Sequence, residues 1–427
     1  MLCIQRCEDC CSWNLKFLNV VLNYERISKQ ITDFINMLRG VGVFGTGKII
    51  RVLVPFLRAK EFRVEAIWGR TKEAAEKVAA ELDIPFATDK VDEVLLRKDV
   101  DLVCIICPPH LHSQIAVKAL GIGKHVVCDR PAGLCQSEVL KMVHAAQYYP
   151  SLISILFHTL RFLPAFVQMQ KVVRDGYIGD LTICDVQVQC GSLLHDRYDW
   201  TCDELMGGGL LTNVGSHIID IITYTTGRRA LRVHGMVRTF TKTCHFKGIR
   251  QITSDDFCTF QMELEGGGCA TVTLNEHLPG QFSQEVLLCG SEGHVVVRGG
   301  DLYGQKLTAM KEEVLYLDIE DLKQSSVISH NSTLPSADNN INALLPKPYM
   351  KGLMKMIGAL RDAFASQEDL QSWVKEPVAM AATFEDGQYI QAVIDAIRLS
   401  SKGREWVKVE LLTEDPDAQQ HLLSSMP

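Results

Sequence analysis

This chain lacks a long uninterrupted apolar run, an excess of basic charge and an ordered cysteine framework, and each absence removes a class of protein. No run reaches the roughly 20 apolar residues that a membrane-spanning helix needs, so no membrane association is expected. Lys and Arg number 44 against 51 Asp and Glu, a formal net charge of −7. That balance argues against nucleic acid or a polybasic membrane surface as partner. Cysteines are plentiful at 15, yet their odd number and irregular spacing do not fit a disulfide scaffold. Cys104, Cys107, Cys128 and Cys184 fall in apolar strand-like runs, where Cys serves as a small apolar residue. Cys7-Glu-Asp-Cys10 has the spacing of half a zinc site, but no second Cys or His pair follows, so no metal is expected. There is no internal repeat. Residues 1–39 also lack the basic, apolar and small-residue regions of a secretory signal, and they read as an atypical extension. What remains is a globular composition, 47% apolar and 22% charged, long enough at 427 residues for two or three domains.

The most informative feature present is a strand that runs into a glycine loop and then a helix: Val41-Gly-Val-Phe-Gly45-Thr46-Gly47-Lys48-Ile49-Ile50. Glycines there let the backbone turn sharply and approach a pyrophosphate, and the following helix offers its unpaired N–H groups to that anion. Twenty-odd residues on, Ala66-Ile-Trp-Gly69-Arg70-Thr71 supplies a second strand end. An acid at that point would accept hydrogen bonds from the ribose 2′-OH of NAD. None is present, and the Arg70 guanidinium suits a 2′-phosphate, so the expected cofactor is NADP.

From residue 40 to about residue 160, continuous apolar strands alternate with helices, the pattern of a parallel sheet covered on both faces. Pro55 is expected to kink the first helix or remove one of its bonds. The next helix should be capped by Thr71 and run to Leu82. Strands are expected at 62–68, 101–107, 125–128 and 152–157. Over 161–405 the grammar changes to one helix (164–174) and then alternating strands near 181–189, 230–240, 257–264, 268–275 and 285–289, with a helix at 214–224. The glycines at 266–268 should make a hairpin turn. Residues 323–347 read as a mobile loop, helices follow at 349–365 and 384–400, and 406–427 forms a tail. The fold class expected is α/β: an N-terminal NAD(P)-binding Rossmann domain, then a C-terminal α+β domain with a large open, mainly antiparallel sheet.

Several separated segments together resemble the glucose–fructose oxidoreductase / inositol dehydrogenase (Gfo/Idh/MocA) superfamily over roughly residues 40–405, and within it the animal proteins carrying a glucose–fructose oxidoreductase domain. They are the glycine loop; Asp101-Leu-Val-Cys-Ile-Ile-Cys107-Pro108-Pro109-His-Leu-His112; Gly123-Lys-His-Val-Val-Cys-Asp129-Arg130-Pro131; Arg161-Phe-Leu-Pro164; and Gly207-Gly-Gly-Leu-Leu-Thr-Asn213-Val-Gly-Ser-His217. The resemblance implies cofactor contacts from Gly45, Thr46, Gly47, Lys48, Ile49, Gly69, Arg70, Cys107, Pro108, His112, Asp129 and Arg130. It implies catalysis by the residues at 130, 213 and 217, and a homodimer or higher homo-oligomer formed through the open sheet. Here the sequence departs from the family's pattern: Arg130 replaces the lysine of Glu-Lys-Pro and Asn213 the aspartate of Asp-x-x-x-His. Arginine stays protonated at any working pH and cannot relay a proton; asparagine cannot stabilise an imidazolium. His217, sharing a helix face with Asn213, would act near its ordinary pKa of about 6.5, and Asp220, at i+3, is a candidate replacement for the missing carboxylate, against the plainer reading of a solvated helix acid.

Two functions follow. One is an NADP(H)-dependent oxidoreductase acting on a carbohydrate-like or small carbonyl or alcohol substrate. The other is a catalytically silent NADP-binding scaffold or assembly protein. Free cysteines favour the cytoplasm. If translation began at Met37, the apolar stretch 41–57 could instead direct secretion, and its removal would delete the phosphate loop. A secreted form, acting in the extracellular matrix, would then be a non-enzyme. Tyr198 and Trp200 are candidate sugar-pocket residues, and Asn331-Ser-Thr333 fits a glycosylation acceptor.

Overall fold

The computed structural model describes residues 40–191, 198–245, 248–278, 282–319, 346–365 and 375–414. The expectations for the 1–39 extension, the Asn331 triplet, the loop up to residue 345 and the tail beyond 414 lie outside the described residues. In the first half, β1 (Gly40–Phe44), α1 (Ile50–Ala59), β2 (Arg63–Trp68), α2 (Lys72–Leu82), β3 (Phe86–Thr88), α3 (Val91–Leu95), β4 (Leu102–Ile105), α4 (His112–Gly121), β5 (His125–Cys128), α5 (Gln136–Tyr148) and β6 (Ser154–Leu156) alternate. Every residue of β1, β4 and β5 is buried, which is why their sequences run apolar without alternation. Thr71 caps α2 by accepting from the Ala74 N–H at 3.3 Å. Pro55 sits on the exposed side of α1, and the helix runs through it unbroken from Ile50 to Ala59.

The second half begins with α6 (Pro164–Arg174) and β7 (Leu181–Gln189). It continues through α7 (Ser216–Thr226), β8 (Ala230–Arg238), a small ribbon of β9 (Thr243–Cys244) and β10 (Arg250–Gln251), then β11 (Phe257–Leu264) and β12 (Cys269–Asn275). β13 (Ser283–Gly290), β14 (Gly293–Arg298), β15 (Asp301–Lys306) and β16 (Glu313–Tyr316) extend the sheet, the last three beyond the strands expected from sequence. Then come α8 (Lys347–Ala365), β17 (Ala382–Thr383), α9 (Phe384–Gly403) and β18 (Val407–Lys408). The nine-stranded sheet has the order β16-β15-β14-β13-β7-β12-β11-β8-β18. Only the β7–β12 pairing in it is parallel. Its inner face (Cys184, Val186 and Val188 of β7; Phe260 and Met262 of β11) packs with α6, α7 and α9 into one core. Its other face leaves Ile183, Leu231 and Met236 exposed.

Two late elements return to the first sheet. β17 pairs antiparallel with β6, giving the seven-stranded order β17-β6-β5-β4-β1-β2-β3. Leu353, Met356, Ile357 and Leu360 of α8 share a core with β1 and α1. One expectation needs correction: Glu204–Thr226 is a helical stretch long and apolar enough to cross a membrane. Its apolar character has another cause, since 78% of that window is buried inside the protein as a core helix.

Candidate active site

β1 delivers Gly45 into the first turn with φ +136°, bonded through its N–H to Trp68 O at 2.9 Å. A Cβ there would lie 2.3 Å from Ile106 O, so a side chain is excluded where β1 and β4 end side by side. The loop then opens: Thr46, Gly47 and Lys48 are exposed or half-exposed, and nothing lies within 4 Å of a Cβ on Gly47. Ile49, the residue preceding α1, offers no side-chain cap. The N–H groups of 46–49 have no hydrogen-bond partner among the described residues, a cradle suited to a pyrophosphate. At the end of β2, a Cβ on Gly69 would meet Thr46 Cγ2 at 2.8 Å and Ala75 Cβ at 3.1 Å, so the second strand has no room there for an acid. Arg70 follows, exposed and without a partner among the described residues.

Cys104 and Cys107 do face opposite sides, Cys104 in the core under α1 and Cys107 in the core under α4. Cys107 lies two residues beyond β4, however, and burial pushes its thiol up to about 12. Its carbonyl meets His112 Nε2 at 2.7 Å, while His112 Nδ1 meets Pro131 O at 2.9 Å. His112 is fully buried and keeps no ring nitrogen for a dinucleotide, so its place among the cofactor contacts is corrected: it braces the turns after β4 and β5. Pro108, half-exposed, forms the rim between them.

Where β5 ends, Asp129 Oδ1 accepts from the Arg130 N–H at 2.9 Å and from Arg130 Nη1 at 3.0 Å. Across the junction with the second half, α7 presents His217, and Arg130 Nε donates to His217 Nε2 at 2.7 Å. Arginine only donates, so Nε2 must carry the lone pair and the ring proton lies on Nδ1. That Nδ1 is buried without a partner among the described residues. Burial, then the Arg130 charge, then neighbouring His158, hold His217 well below its ordinary value. The expectation of an imidazole titrating near its unperturbed pKa is therefore overturned: it is neutral, with its lone pair already engaged. Asp220 does not serve as its carboxylate either. Asp220, 1% exposed, pairs with Arg161 at 3.0 Å (Nε to Oδ2) and 2.6 Å (Nη2 to Oδ1). Burial opposes the Arg161 charge, yet attraction to Asp220 outweighs it and holds the guanidinium above its usual value. Asn213, half-exposed in the π-helical lead-in Leu211–Gly215, makes no side-chain hydrogen bond among the described residues.

Sequence reasoning missed several neighbours. The Tyr349 ring stands edge-on to His217 at 4.8 Å and His158 does the same at 5.3 Å. Tyr349 donates its hydroxyl to Gln284 at 3.0 Å. Glu276 and Asp255 lie buried below the glycine run, pushed up to about 8 and about 6, chiefly by burial. None carries a local motif; the topology alone gathers them from the segment after β6, the ends of β11 and β12, β13 and α8. Tyr198 lies under the Arg250 guanidinium at 5.8 Å.

The sequence profile of the oxidoreductase family with an NAD-binding Rossmann fold, Gfo/Idh/MocA, matches residues 39–157, and the Gfo/Idh/MocA C-terminal domain matches 166–296. The chain belongs to this family. Glucose-fructose oxidoreductase domain-containing protein 1 of Mus musculus is 51% identical to this Gfo/Idh/MocA chain over 382 residues, covering 89% of it and 95% of the relative. The human domain-containing protein 2 is 50% identical over 391 residues, with 91% and 98% covered. Among solved structures, levoglucosan dehydrogenase in complex with NADH and L-sorbose superposes with a TM-score of 0.71 at 18% identity, covering 88% of this chain and 99% of that one. An oxidoreductase domain protein from Kribbella flavida gives 0.71 at 21% identity, with 87% and 99% covered. At such identities the structures establish the fold.

Proposed function

We propose that the protein is an NADP(H)-dependent oxidoreductase acting on a carbohydrate-like or small carbonyl or alcohol substrate. The observation that carries the reading is the cradle at 45–49 joined to Gly69–Arg70: open backbone donors, no space for an acid at the ribose, and an exposed guanidinium with no partner among the described residues. Gly45 to Ile49 would hold the pyrophosphate and Arg70 the 2′-phosphate. Cys107, Pro108 and Asp129 border the position of the nicotinamide, which supplies hydride exchange when bound. Arg130 donates to the reacting oxygen and polarises it. Asn213 orients the substrate through its amide, and His217 fixes the Arg130 side chain. Proton exchange at His217 requires that substrate binding release Nε2 from Arg130.

That last requirement is the observation favouring the second reading, a catalytically silent NADP-binding scaffold. Restoring the proton machinery with Arg130→Lys and Asn213→Asp should raise turnover in an impaired enzyme and change nothing in a scaffold. Calorimetric titration with NADPH and NADH tests the shared premise. Tight NADPH binding with much weaker NADH binding is expected, and a folded protein that binds neither refutes both readings. The exposed Ile183, Leu231 and Met236 support pairing of two or more copies through the open sheet, which light scattering would detect as a mass above one chain. Eleven described cysteines, all unbridged, support residence in the reducing cytoplasm; fractionation with the bulk of the protein in a secreted pool would overturn it.

A further inference from the structure

Arg130 is held on two sides and open on a third. Of the five N–H groups of a guanidinium, Nε–H goes to His217 and one Nη1–H to Asp129. The Nη2 pair and the second Nη1 hydrogen make no hydrogen bond among the described residues. The side chain keeps 21% of its surface exposed while Nε and Nη1 are held by His217 and Asp129. A fixed plane with parallel N–H groups on its open edge matches a planar carboxylate in bidentate geometry, with less side-chain entropy left to lose. The neighbouring Asp129 already offsets part of the cation, so the pair suits a monoanion better than a phosphate dianion. In this arrangement His217 offers the ligand no donor, because its Nε2 accepts from Arg130 and its ring proton lies on the buried Nδ1.

We infer that the substrate carries a carboxylate, as a hydroxy or oxo acid or a sugar acid does, and that the Nη edge of Arg130 clamps it. This rests on the proposed oxidoreductase reading and narrows its substrate class. Arg130 thereby becomes a specificity-determining residue as well as a polarising one, and neutral sugars would leave its open donors unsatisfied.

The test uses the full chain saturated with NADP⁺, after NADPH binding has been measured on the same preparation. Calorimetric titrations compare D-glucuronate with D-glucose, pyruvate with hydroxyacetone, and D-glucose 6-phosphate as a phosphate probe. At least one acid should bind about tenfold to a hundredfold more tightly than its neutral counterpart, the range expected for charge-assisted hydrogen bonds. Arg130→Lys, shown folded by its thermal transition, should lose most of that preference, since it keeps the charge and loses the fork. NADPH binding without any preference for an acid overturns the carboxylate clamp and leaves the oxidoreductase reading standing. Preference for the phosphate probe alone, or a preference unchanged in Arg130→Lys, also overturns it. Absence of NADPH binding overturns both.

Discussion

Glu276 should make the protein's stability depend on pH in a way that one isosteric substitution removes. The residue follows β12, is 7% exposed, and lies beside Asp255 and Asp256, with its N–H bonded to Asp256 O at 3.2 Å. Its carboxyl finds no cation among the described residues, and burial, then Asp255 and Asp256, push it up to about 8 from an ordinary 4.5. A carboxyl raised on folding holds its proton in the native state after the unfolded chain has released it. Its contribution is therefore intact below the unfolded pKa and is lost as pH rises towards the folded one. Each pH unit between those values costs about 1.4 kcal/mol. From about pH 5 to about pH 7 the native state should lose about 2–3 kcal/mol through this residue. Glu276→Gln keeps the shape and removes the titration, so its stability relative to the parent should rise by that amount over the same interval. Urea unfolding of both proteins at stepped pH measures the difference. Parallel curves would refute the argument, because they would mean that Glu276 is already ionised and compensated in the folded protein.

Other outcomes follow from the same geometry. Arg161→Met would leave Asp220 buried and uncompensated beside His158, destabilising the protein by about 3–5 kcal/mol in urea unfolding, and Arg161→Met with Asp220→Leu should recover much of the loss. Arg70→Ala should weaken NADPH binding by about tenfold or more and leave NADH binding nearly unchanged, because only the 2′-phosphate loses a partner. Gly45→Ala should abolish binding of both nucleotides in titration, since its Cβ would collide with Ile106 O.

The sequence was most legible where local rules and tertiary packing agree. The limits of α2 and its Thr71 cap, β5, β7, β11 and α6 follow from periodicity and capping alone. β14 to β16 did not emerge, because they sit between glycine pairs and charged residues at the exposed end of the sheet. The glycine loop was readable from spacing and chemistry, and the departures at 130 and 213 from the resemblance to the family's motifs. The state of His217 was not: its neutrality arises from burial and from a guanidinium contributed by a distant strand end. Spacing also suggested Asp220 as a helper, but a helix places it beside Arg161 rather than beside His217. Tyr349 and Glu276 entered through chain crossings that no local signal announces.

The return of α8 and β17 to the first sheet governs how this molecule can be made. During vectorial synthesis, the nucleotide-binding half emerges first with the edge of β6 unpaired and the core around β1 and α1 uncovered. It must wait for the later half to leave the ribosome before that edge is closed, a long-range contact of the kind that slows folding. A nascent chain stalled before residue 346 would therefore offer chaperones both an open strand and an apolar groove. The edge of β6 and the core around β1 and α1 are therefore closed only after residues beyond 346 have emerged.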